Sequence, residues 1–70
     1  MQMFTTVIHK EEDLYVAECP EVGTVSQGAS IEAAINHLKE ATKLYLDEFP
    51  LKEERKTLIT TFEVAISVKA

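Results

Sequence analysis

Glu18–Ser30 reads ECPEVGTVSQGAS, and how this stretch is read decides the fold. It carries the single Cys, one of the two Pro and both Gly of the chain. Two readings compete: a reactive site around Cys19 and Ser26, or turn chemistry that folds the chain back on itself. Pro20 removes a backbone donor and so ends or edges a strand. Gly23 admits a turn. Thr24–Gly28 (TVSQG) has the character of a short strand, and Gly28 can take the positive φ that suits the exit from a strand toward a helix. Ser30 is a helix N-cap candidate, because its hydroxyl can accept an N–H of the first turn.

Upstream, LYVAEC (residues 14–19) alternates, with Leu14, Val16 and Glu18 opposite Tyr15, Ala17 and Cys19. MFTTVIHK (3–10) is rich in β-branched and aromatic types, with Phe4, Thr6 and Ile8 on one face. The polar link Glu11-Glu12-Asp13 between these runs is short enough for an antiparallel hairpin. Downstream, apolar groups recur at Ile31, Ala34, Ile35, Leu38, Ala41, Tyr45 and Phe49 in helical steps of three and four. Pro50 ends that helix, since the residue before a proline is pushed out of the α region. KEERK (52–56) reads as a solvated connector or a helical turn. TLITTFEVAISVK (57–69) then alternates again: Leu58, Thr60, Phe62, Val64, Ile66 and Val68 share one face, and Ile59, Thr61, Glu63, Ala65 and Ser67 the other. This last strand is longer than the usual five or so residues, and a strand longer than its neighbours leaves an edge that invites another chain.

The order is therefore β-β-β-α-β. The expected fold is a two-layer α+β domain spanning residues 1–70: a three-stranded antiparallel meander, one helix across one face, and a last strand returning to the sheet. If the last strand pairs with the first, the helical crossover makes that pair parallel. The other sheet face is only half apolar and looks under-covered.

A chain of 70 residues buries only about 60% of the surface that it exposes when unfolded. Domains this small usually draw extra stability from disulfides, a metal or a partner subunit. One Cys makes no internal disulfide, and His9, His37 and Cys19 do not have the spacing of a zinc framework. A homodimer or dimer-based tetramer involving the long last strand or its exposed face is thus expected. No apolar run reaches the roughly 18 residues of a membrane span, and no basic-then-apolar leader opens the chain. A cytoplasmic location follows. With 7 Lys and Arg against 12 Asp and Glu, the net charge is −5. The cluster Lys52, Arg55 and Lys56 is interrupted by Glu53 and Glu54. That balance disfavours direct binding to a phosphate backbone and suits either a basic protein partner or plain solubility.

Catalysis finds little support. Cys19 and Ser26 need a base within hydrogen-bond reach, whereas His9 sits at the far end of the hairpin from Cys19 and His37 lies beside the helical stripe. A small, buried or half-buried Cys is the simpler reading of Cys19. Asp13, Glu18 and Glu63 are acids that could offer oxygen ligands to a divalent cation, but solvent-facing strand positions explain Glu18 and Glu63 better, and Asp13 belongs to the exposed polar turn. No phosphate-cradling, dinucleotide, CxxC or HExxH motif is present. The expectation is a non-enzyme with no cofactor and no metal. Tyr15 and Tyr45 are either interface anchors or edge-of-core residues.

YVAECPE, SQG and IEAAINHLKEATKLYLDEF together resemble the HicB family of antitoxins. The family pattern is an opening strand, then Y-x-A-x-C-P-E, then G-x-x-S-Q-G, then a helix similar to T-x-E-E-A-x-x-N-x-K-E-A-x-x-L-Y-L. Its signature positions here are Tyr15, Ala17, Cys19, Pro20, Glu21, Gly23, Ser26, Gln27 and Gly28. The helix adds Glu32, Ala34, Asn36, Lys39, Glu40, Ala41, Leu44, Tyr45 and Leu46. The likeness covers about residues 4 to 49. Ser30 stands where the family often has Thr, and Ala33 where it often has a second Glu. The resemblance implies a partial ribonuclease-H-like fold and a partner similar to HicA, a small basic toxin that cleaves mRNA and is neutralised by protein–protein contact. Many members carry a further DNA-binding domain. The chain stops at Ala70, so autorepression by it alone is not expected. The competing expectation is a stand-alone oligomeric module with no toxin, regulatory or small-ligand binding.

Overall fold

Alternation in residues 14–19 builds the central strand, and everything else is placed by it. In the computed structural model, which describes residues 2–51 and 56–67, β1 (Val7–Glu11), β2 (Leu14–Cys19) and β3 (Thr24–Gly28) form an antiparallel sheet in the order β1-β2-β3. Helix α1 (Ile31–Glu48) crosses one face of it. The fold class is the expected α+β arrangement of a three-stranded antiparallel meander with one helix.

Register fixes which side chains meet the helix. Ala17 lies opposite Ile8 on β1 and Ser26 on β3. These residues share one face with Tyr15, Cys19, Thr24 and Gly28, and Ala17 and Cys19 are buried there. Val7, Leu14 and Val25 fall on the opposite face and are exposed. The β1–β2 loop is Glu12-Asp13, tighter than the three-residue acidic link suggested. Glu12 adopts a φ of 51°, in the left-handed region that costs an ordinary L-residue roughly 1–2 kcal/mol.

The hinge stretch is built from turns. The carbonyl of Cys19 accepts the N–H of Gly23 at 2.7 Å and that of Val22 at 3.3 Å. Gly23 takes a φ of 91°, as a turn there requires. Gly28 does not take a positive φ, contrary to the strand-exit reading. Its lack of a side chain serves close approach instead: a Cβ there would lie 2.6 Å from the N of Ala34 and 2.9 Å from the Cβ of Ala33. The first turn of α1 therefore sits directly on β3. Ser30 caps it, its hydroxyl accepting the N–H of Ala33 at 3.0 Å. At the other end, Phe49 donates its N–H to Tyr45, and Pro50 follows.

The buried line of the helix is Ala34, Leu38 and Thr42, with Leu46 half-buried at the next step of four. The expected stripe through Ile31, Tyr45 and Phe49 is not the buried one: these are 48%, 44% and 61% exposed. Tyr45 and Phe49 stack on one another outside, with centroids 5.0 Å apart. A threonine enters the core in their place because it has a partner there: its Oγ1 is 2.7 Å from that of Thr24.

Two segments depart from the strand expectations. β1 begins at Val7 rather than Met3. β2 has only Cys19 left beyond the Val7–Glu18 pair before Pro20 turns the chain away, so Phe4 and Thr5 overhang the sheet. The last strand, expected over residues 57–69, pairs with nothing among the described residues. Across 57–67 the chain is exposed and forms no ladder. Leu58 is 91%, Phe62 86% and Ile66 77% exposed. A strand exists only by its neighbour's hydrogen bonds, and alternation alone supplies none. The connector at 52–55, including Lys52 and Arg55, and the tip at 68–70 lie outside the described residues.

Candidate functional site

The small core creates the site. Its buried apolar members are Ala17, Cys19, Ala34 and Leu38, with Ile8, Tyr15 and Val22 packed around them. Three of the four are small, so they contribute little of the 1.5–3 kcal/mol that burying a large apolar side chain is worth. Helix α1 lies mainly over β3 and β2, which leaves the layer open on the β1 side. An apolar groove of about 350 Å³ runs there, between the overhanging Phe4–Thr6 and the helix residues Ile35, Leu38, Thr42 and Leu46. Lys39, Lys43 and Asp47 rim it. The Oγ1 of Thr6, buried beside the groove, has no hydrogen-bond partner among the described residues.

Glu21 holds two of the lining residues, Thr5 and Cys19. It is 8% exposed, and its Oε1 accepts the N–H of Thr5 at 3.0 Å and the thiol of Cys19 at 3.4 Å. Hydrogen bonds from Thr5 and Thr57 hold its carboxyl down at about 2, against an ordinary 4.5, and outweigh the opposing effect of burial. This carboxylate ties the overhang before β1 to the turn after β2 in one node.

Cys19 forms part of the wall of the groove. Burial pushes its thiol up, and the Glu21 carboxylate adds to the rise; the Val22 N–H opposes them less strongly. A protonated thiol is the unreactive form. His9 lies opposite Val16 on the other sheet face, where its Nε2 is 3.2 Å from Glu11. His37 uses its Nδ1 on the carbonyl of Gln27 at 2.8 Å; a carbonyl only accepts, so this nitrogen carries the proton. Neither histidine hydrogen-bonds Cys19 or Ser26. Glu18 pairs across the ladder with Val7 and Val25, while Glu63 stands out on the exposed segment. These two acids are not brought together, and the described residues contain no group of three or more metal-ligating side chains.

The signature positions occupy the joints of the fold. Tyr15 is half-buried at the core edge, with Lys10 Nζ 5.7 Å from its ring centroid. Cys19 and Gly28 are buried, and Ser26 lies half-buried opposite Ala17. Pro20 and Gly23 form the turn, and Gln27 lends its carbonyl to His37. Sequence reasoning missed the groove and the node. The groove was readable from Leu38, Thr42 and Leu46 in steps of four. Chemically the arrangement offers an apolar slot beside a strand edge that is unpaired among the described residues, which suits an extended apolar segment. No helix of the described residues is long and apolar enough to cross a membrane.

No family model and no solved structure matches the chain. It is similar to a UPF0150 protein of Helicobacter pylori (strain J99), 37% identical over 71 residues, an alignment covering 93% of this chain and 99% of the relative. At that identity over nearly the whole of both chains, the protein belongs to the UPF0150 family.

Proposed function

We propose that the protein is a HicB-like binding module that neutralises a small basic HicA-like, mRNA-cleaving toxin by protein–protein contact in the cytoplasm, without catalysis of its own. The observation that carries this reading is the ordered signature from Tyr15 to Leu46, which resembles the HicB pattern at consistent spacing. The acidic surface supports it: Glu11, Glu12, Asp13, Glu18, Glu32 and Glu40 are all exposed, and the net charge of −5 favours encounter with a basic partner. Co-expression with a small basic protein encoded next to it should rescue growth, and the two should co-elute as one complex. No rescue and no complex would overturn the reading.

A second reading is favoured by the groove and the exposed segment: a stand-alone oligomeric module, homodimer or dimer-based tetramer, that acts without a toxin. In either case self-association is part of the proposal, because the small core and the open β1 side leave one copy incompletely covered. Sedimentation at high micromolar concentration should show a mass above that of the monomer.

A further inference from the structure

The exposed segment and the open groove are complementary. Residues 57–67 carry Leu58, Phe62, Val64 and Ile66 on one face, and the one charge among them, Glu63, on the other. That is the binary pattern of a strand with one buried side, yet the apolar face is bare. On the body, the outer edge of β1 has no neighbour among the described residues, and beside it lies the apolar groove at Phe4, Ile35, Leu38 and Leu46. A strand added to that edge would lower its apolar face into the groove.

We infer that the occupant is the same segment from a second copy: in solution two chains exchange their 57–67 arms, each pairing with the outer β1 edge of the other and filling the other's groove. Across 57–67 the segment is exposed and stands clear of its own body. The radius of gyration is 15.2 Å, with extents of 51 × 29 × 17 Å, whereas a compact chain of this length has about 11 Å. An arm held off its own sheet is in position for another's. Each copy carries both arm and groove, so one two-fold axis satisfies both at once and leaves no open contact to propagate. Eleven extended residues at roughly 3.3 Å each span about 36 Å. Two such arms bring the interface into the range of about 800 Å² per partner that stable complexes bury. The exchange rests on the self-association proposed above and is independent of any toxin.

The test uses the full chain as a mixture of ¹³C-labelled and unlabelled copies. Sedimentation should give twice the monomer mass, or a multiple of it, and isotope-filtered nuclear Overhauser spectra should show the Phe62 ring against the methyls of Ile35 and Leu46 across differently labelled copies. Phe62→Glu, at a position that touches little of its own body, should leave the helical circular dichroism intact and weaken association at least about tenfold. Leu46→Glu should weaken it likewise from the groove side, and the two variants mixed should recover a heterodimer, since one sound arm then meets one sound groove. A dimer whose Phe62 contacts lie within one copy, or between two arms, overturns the exchange but leaves self-association standing. A monomer at high micromolar concentration overturns both.

Discussion

Oε1 of Glu21 accepts the backbone N–H of Thr5 at 3.0 Å across sixteen positions of sequence, so a buried carboxylate, rather than a ladder bond, holds the start of the chain to the end of β2. The consequence is a pH dependence of known sign. Its folded value, about 2, lies below its ordinary 4.5. The stabilisation is therefore complete above about pH 5 and is lost as pH falls from 4.5 through about 2. Glu21→Gln should cost about 1–2 kcal/mol at neutral pH. Denaturant midpoints of the two proteins should converge as the solution approaches pH 2; a gap unchanged across that window would refute the assignment.

The two glycines answer to different constraints. Gly28→Ala forces a Cβ to within 2.6 Å of the Ala34 nitrogen, so α1 must lift from β3, at a cost of about 1–3 kcal/mol. Gly23→Ala meets nothing within 4 Å but must hold a φ of +91°, costing about 1–2 kcal/mol. Asparagine separates the two cases. It tolerates positive φ, so Gly23→Asn should be milder than Gly23→Ala, whereas Gly28→Asn should be worse than Gly28→Ala in equilibrium unfolding.

Thr24 and Thr42 form one unit. Thr42→Val keeps the shape of a buried residue but leaves the Thr24 hydroxyl without its partner at 2.7 Å, at a cost of about 1 kcal/mol. Changing both to Val should cost less than the sum of the single changes. A double-mutant cycle by thermal or chemical unfolding measures this coupling, and strict additivity would argue against the bond.

Cys19 should be slow toward thiol reagents. Buried at 2% exposure and with its pKa raised, it presents neither access nor thiolate. Labelling at pH 8 should run at least roughly tenfold slower in the native protein than in denaturant, where the thiol regains its free reactivity. Equal rates would mean that Cys19 is open to solvent.

The local elements were legible because each rests on near-neighbour chemistry. Ser30 caps, Pro50 stops, Gly23 turns, and Tyr15–Ala17–Cys19 face inward as alternation demands. The reading failed where a contact distant in sequence chose between similar patterns. Tyr45 and Phe49 have better apolar credentials than Thr42, but only Thr42 has Thr24 opposite it. Gly28 was read by its own torsion when the deciding fact was the helix above it. Residues 57–67 have the strand pattern throughout, and a pattern does not say which edge a strand joins or whose. The roles of Glu21 and Phe4 were hidden for the same reason: both depend on where β2 stops, which Pro20 fixes locally and the overhang reveals only in three dimensions.

The bare arm also bears on how long the chain survives. Proteases grip substrates in extended form and favour exposed, unpaired backbone, which is the condition of Leu58 through Ile66 here. A single cut in that stretch would leave the sheet, the helix and their hydrogen bonds whole. Limited digestion should therefore yield a trimmed body before any fragment of β1–α1, and the arm should be shielded wherever it is covered. Turnover would then act as a count of uncovered copies, removing first the molecules that have found nothing to hold.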